Sequence, residues 1–85
     1  MIIVYCDPFD MESRVYRMNG ESVVDSYVRS DIATVSETIA TDCHTYGITD
    51  VKIHAPKHIF DEIAGTVSSY ETSTYGVNQI IMENV

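Results

Sequence analysis

The sequence predicts a two-layer α/β domain (α+β in layer terms) of order βββαβαβ, a five-stranded mixed sheet with two helices on one face. Three observations predict it. An apolar strand-like run precedes two strand-like segments that meet at Asn19-Gly20; two later stretches repeat apolar residues at spacings of three and four; and each of those stretches leads into a further strand-like segment.

Ile2 to Cys6 is a continuous apolar run rich in β-branched residues, the pattern of a buried central strand. Asp7-Pro8 ends it, and Pro8 supplies a fixed φ for a turn from Asp7 to Asp10. Asn19-Gly20 predicts a two-residue hairpin turn, because both residues tolerate positive φ. Counting outward from that turn pairs Met18 with Glu21, Tyr16 with Val23, Arg14 with Asp25 and Glu12 with Tyr27. The other face pairs Val15 with Val24, Ser13 with Ser26 and Met11 with Val28. Arg14 opposite Asp25 is an attractive cross-strand pair, and both hairpin faces carry apolar groups.

Ser30 or Asp31 caps a helix running to about Tyr46, with Thr34 and Glu37 offering a second capping-box start. Ile32, Val35, Ile39, Cys43 and Tyr46 form its buried stripe, and Gly47 terminates it. Ile48 to Ala55 alternates, Val51, Ile53 and Ala55 pointing one way and Lys52 and His54 the other. Pro56 opens a second helix with a stripe of Ile59, Ile63, Val67, Tyr70 and Thr74, flanked by Phe60 and Ala64. Gly65 within it costs about 1 kcal/mol and predicts close packing on the sheet. Ser68 to Thr74 are weak helix formers, Gly76 closes the segment, and Val77 to Val85 is the last strand.

Extending the three-strand meander outward gives the spatial order 3-2-1-4-5, with strand two antiparallel to the rest. Right-handed crossovers that step in one direction place both helices on the same face. This order resembles the core of the ribonuclease H-like fold over nearly the whole chain, through topology and not through any sequence motif. The resemblance implies a metal-dependent nuclease site with Asp7, at the end of the first strand, as its first carboxylate and Glu37, on the first helix, as its second. Such chemistry needs a carboxylate cluster to hold divalent metal against phosphate. Here the fourth strand ends in His54, Ala55 and Pro56, where a further Asp is wanted.

Composition bounds the rest. Eighty-five residues with 45% apolar content make one globular domain. Thirteen acidic residues against five basic give a formal charge of −8, with Arg14, Arg17, Arg29, Lys52 and Lys57 scattered. Direct binding of nucleic acid or of an anionic membrane is disfavoured, since both need clustered cations. Acidity serves solubility, and it would also suit mimicry of nucleic acid toward a basic protein site. Cys6 and Cys43 read as core thiols with no metal spacing and no required bridge. No cleavable leader pattern and no membrane-length apolar run occur, so the expected location is the cytoplasm.

Other candidate sites are sparse. His54 and His58, with Glu62 one turn on, contain metal-binding residue types, but a strand end and a helix start do not give two histidines one helix face. Cys43 and His44 point about 100° apart on a helix, so they form no nucleophile pair, and Asp42 does not change that. The serines near Ser68 and the four isolated glycines form no nucleophile elbow and no phosphate loop. No cofactor is expected.

With both helices on one side, the other sheet face is left open. Tyr16, Met18, Val23 and Tyr27 are the expected members of that face, since aromatic residues and Met are enriched at interfaces. The expected function is a non-enzymatic interaction or regulatory protein, such as a viral accessory factor, that forms a homodimer or docks a protein partner through this face. A reduced ribonuclease H-like hydrolase and an acidic nucleic-acid mimic, the latter favoured by a contiguous stripe of carboxylates such as Glu12, Glu21 and Asp25, are the alternatives.

Overall fold

A computed structural model describes residues 1–10, 12–70 and 80–85 of the chain. The elements are β1 (Ile2–Cys6), β2 (Ser13–Asn19), β3 (Ser22–Arg29), α1 (Ile32–Tyr46), β4 (Asp50–His54), α2 (Lys57–Tyr70) and β5 (Ile81–Asn84). They form one five-stranded mixed sheet of order β3-β2-β1-β4-β5. β2 runs antiparallel to β1 and β3, while β1, β4 and β5 are parallel. The expected architecture is therefore the observed one. Met11, Thr74, Gly76 and the expected strand residues Val77 to Gln79 lie outside the described residues.

One apolar cluster holds the two layers together. Ile2 and Val4 of β1, Val15 of β2, and Val51 and Ile53 of β4 meet Val35, Ile39 and Cys43 of α1 and Ile59, Ile63 and Val67 of α2. These strand residues all share one face, because Val4 is opposite both Val15 and Ile53. Both helices thus cover that face, and α-helical spacing of three and four delivers their stripes to it.

Local chemistry sets the boundaries. Asp31 caps α1, its carboxylate accepting from the Thr34 N–H at 2.8 Å, and Gly47 ends it at φ 66° with its N–H bonded to the Cys43 carbonyl. Pro56 stands just before α2, its carbonyl accepting the first helical bond from the Phe60 N–H at 2.9 Å. Gly65 differs from expectation. It is exposed, and a Cβ built on it meets nothing within 4 Å, so no close approach to the sheet requires a glycine there.

The hairpin register is the main correction. Asn19 pairs with Ser22 and Met18 with Val23, which moves the turn to Gly20-Glu21, with Gly20 at φ 62°. Beyond that the register slips by one: Arg17 is opposite Asp25, Tyr16 opposite Ser26, Val15 opposite Tyr27 and Arg14 opposite Val28. Val24 is the extra residue of a β-bulge. Moving the turn centre by one residue leaves the faces unchanged, but an unpaired residue exchanges them for the whole of the strand beyond it. The expected Arg14–Asp25 pair is replaced by Arg17–Asp25, at 3.7 Å. Tyr27 crosses to the helix-covered face, where its ring packs against the core.

Candidate functional site

Three cross-strand rows make up the open face, and each is set by the register. Val28, Arg14, Tyr5 and His54 form the first; Ser26, Tyr16, Ile3, Lys52 and Glu83 the second; Val23 and Met18 on one side, with Asp50 and Ile81 on the other, the third. Tyr5 binds the rows together. Its ring stacks on His54 at 4.4 Å between centroids and meets Tyr16 edge-on at 5.9 Å. Ile3, Tyr5, Tyr16, Met18 and Val23 line a shallow depression of about 200 Å³.

Tyr16, Met18 and Val23 are thus where the sequence places them, and Tyr27 is not. Ile3 and Tyr5 take its place. An apolar run reads as a strand buried on both faces, which conceals them. The available signal is that helices on one side leave alternate residues of the central strand open. Ile81, 73% exposed, extends the apolar surface to the far edge. The charged side chains of these rows are Arg14 and Lys52 against Asp50 and Glu83, and beside them the Met1 ammonium lies 3.9 Å from Asp50 and the Glu12 carboxylate 3.9 Å from Arg14. With histidines counted neutral these charges cancel, while the chain carries −8.

Behind the other face, at the β3 end, lies a polar layer. Arg17 reaches Asp25, and its guanidinium carbon sits 3.8 Å from the centre of the ring of Tyr46, which is half exposed at the end of the helical stripe. The Tyr27 hydroxyl donates to Asp25 Oδ2 at 2.9 Å. That bond, helped by the Ser26 N–H, holds the Asp25 carboxyl below its ordinary range and pushes the Tyr27 hydroxyl up. Arg29 Nε donates to Thr38 Oγ1 at 2.9 Å and Nη1 to the Val28 carbonyl at 3.0 Å.

Asp42 of α1 is the unusual member. It is 7% exposed, and its Oδ2 has no hydrogen-bond partner; the Nε of Arg17 is buried and unpartnered in the same layer. Burial raises the Asp42 carboxyl above its ordinary range, against the opposing pull of Arg17 and Arg29. A cleft of about 400 Å³ opens beside it, lined by Tyr27 and Arg29 of β3 and by Glu37, Thr38, Thr41 and Asp42 of α1 among others. In sequence Asp42 stands three residues beyond Ile39, at the margin of the buried stripe, which marks it as a side chain drawn inward.

The remaining candidates are dispersed. Asp7 Oδ1 accepts from the Phe9 N–H at 2.9 Å, closing the turn after β1, and its depression includes Cys6, Glu12 and Arg14. Glu37 belongs to the cleft at the β3 side, so the two carboxylates of the nuclease resemblance line different depressions. His58 and Glu62 are exposed on α2, where Lys57 pairs with Asp61 at 2.8 Å, while His54 stacks on Tyr5. Among the described residues no three His, Cys, Asp or Glu side chains are grouped as a metal site. Cys6 and Cys43 are not joined in a disulfide, and burial raises the Cys6 thiol despite its 3.1 Å contact with the Ser13 hydroxyl. The carboxylates of the mimicry reading do not gather either: Asp25 belongs to the polar layer, and Glu12 lies 3.9 Å from Arg14. No described helix is long and apolar enough to cross a membrane. Comparison with family models, with curated proteins and with solved structures finds no match.

Proposed function

We propose that this chain is a non-enzymatic interaction protein that self-associates through its open sheet face. The observation that carries the reading is a charge contrast: a tyrosine-centred face of no net charge on a chain of formal charge −8. The rest of the surface carries the chain's net negative charge, so two copies approaching by it bring a net like charge together within a Debye length of about 8 Å. Face to face, they meet where that repulsion is weakest and where Arg14, Lys52, Asp50 and Glu83 supply both signs for cross-interface pairing. Size supports the same reading. The molecule measures 33 by 28 Å across its broad sides, so one face offers about 700 Å², close to the ~800 Å² per partner of a standard interface.

Sedimentation equilibrium over a concentration series tests the proposal. The wild type is expected to dimerise in the micromolar range. Tyr5→Ser/Tyr16→Ser removes two central aromatics, each worth more than about 1 kcal/mol in such positions, and weakens the dimer about 100-fold. Tyr27→Phe, on the covered face, leaves it unchanged. A wild type that remains monomeric at ~1 mM, the weak end of the affinity scale, refutes self-association.

A further inference from the structure

The cleft between β3 and α1 lies on the opposite side of the sheet from the proposed interface. Three of its features are independent of one another. It is a cleft of about 400 Å³, room for a small metabolite. Its wall holds a carboxyl that is 7% exposed, with an oxygen that no donor satisfies and no ion pair of the described residues reaches. And it carries both signs of charge, Arg29 lining the same space as Glu37 and Asp42, together with Thr34, Thr38 and Thr41. Arg29 is also positioned in advance, since Thr38 and the Val28 carbonyl hold its Nε and Nη1.

These features select a ligand by exclusion. A simple anion is repelled by Glu37, Asp42 and the −8 charge of the chain. A simple cation meets Arg29 in the same cleft. A neutral polyol gives the buried carboxyl no cation in contact, only the more distant pull of Arg17 and Arg29. We infer that the cleft binds a small zwitterion of the α-amino-acid class, its carboxylate on Arg29 and its ammonium on Asp42 and Glu37. Charge-assisted hydrogen bonds at both ends make a bound zwitterion stronger than either half alone. The ammonium also favours the ionised form of Asp42, so binding releases a proton where that carboxyl is protonated in the free protein.

The test is an amide chemical-shift titration of the intact chain with each uncharged L-amino acid in turn. Acetate and ethylammonium serve as the two halves. At about 10 mM, ten times the millimolar end of the affinity scale, at least one amino acid is expected to shift the amides of Tyr27, Arg29, Thr38 and Asp42 in a saturable way. Acetate and ethylammonium then bind at least about tenfold more weakly, and Arg29→Gln and Glu37→Gln each weaken the amino acid by about tenfold or more. Glu37 is exposed, so its replacement leaves the fold intact and keeps the test valid if Arg29→Gln unfolds. The inference is overturned if no amino acid shifts those amides, if either half binds as well as the whole, or if Glu37→Gln binds like the wild type.

Discussion

Replacing Asp42 with Asn should make the protein more stable at neutral pH, and the sign can be worked from its surroundings. An aspartate in the unfolded chain titrates near 3.9. In the folded chain, burial raises Asp42 above that value, so the native state holds a proton that the unfolded state has lost. Stability therefore falls as pH rises from about 4 through the folded pKa, and the loss persists in full at neutral pH. Asn is nearly isosteric and carries no charge, which removes the pH-dependent loss while retaining some cost of burying a polar group. An unsatisfied buried polar group costs about 1–3 kcal/mol, and the attraction of Arg17 and Arg29 for the carboxylate offsets part of it, so a gain of about 1 kcal/mol is expected at pH 7. With an m-value of about 1 kcal/mol/M for a domain of this size, the urea midpoint moves up by ~1 M. Urea melts of both proteins at several pH values provide the assay. Asp25 and Asp31, whose carboxyls are held low, lose stability in the opposite direction as pH falls, but they act equally in both proteins and cancel in the difference. The advantage of Asn should shrink toward zero below pH ~4, where the wild-type carboxyl is protonated. An Asn variant less stable than the wild type at pH 7, with a deficit that disappears in acid, would show that Asp42 is a stabilised anion and that the reasoning has the wrong sign.

The packing fixes three further outcomes. Gly65→Ala should stabilise by about 1 kcal/mol in a thermal or urea melt, because the site is an exposed helix interior with open space around the added methyl. Ile39→Ala should destabilise by about 2–5 kcal/mol, since Ile39 is fully buried between the layers; a smaller loss would mean that the core collapses around the cavity. Asp31→Ala should destabilise α1 at neutral pH. Its carboxyl is held low by the backbone N–H and hydroxyl of Thr34, so the cap's contribution is present above the ordinary aspartate range and lost as pH falls through the folded pKa. The gap between wild type and Asp31→Ala should close in acid.

The legible part of this fold is the part written in periodicity. The stripes Val35, Ile39, Cys43 and Ile59, Ile63, Val67 gave both helices, and alternation of Val51 and Ile53 with Lys52 and His54 gave β4 its correct faces. Asn19-Gly20 located the hairpin to within one residue. The bulge at Val24 was hidden because one unpaired residue changes neither composition nor local alternation; it changes only the facing of the residues from Asp25 onward. Gly65 looked like a packing site because glycine in a helix needs a reason, and the space around it supplies none. Tyr46 fits the helical stripe by spacing, yet it is half exposed, and what covers one side of its ring is a hairpin arginine distant in sequence rather than the core. The open face was legible as a consequence of topology, but its central residue, Tyr5, was hidden within a run that alternates in exposure without alternating in polarity.

The bulge also explains why one hairpin can serve two surfaces. Before Val24, Met18 and Val23 point into the tyrosine-centred depression. After it, Asp25, Tyr27 and Arg29 face the helices, where they pair with Arg17 and Thr38 and line the cleft beside Asp42. In a regular ladder the same three residues would lie on the open face, adding a fixed carboxylate and a guanidinium to its rim. Ser26 and Val28 would face α1 instead, leaving Asp42 with Arg17 of β2 but with no charged group of β3. A single extra residue thus keeps the open face's fixed charge low and gives the covered face the arginine that the cleft needs. The two proposed surfaces depend on the same register, so a structure-preserving repair of the bulge would alter both together, whereas a point change in either would leave the other intact.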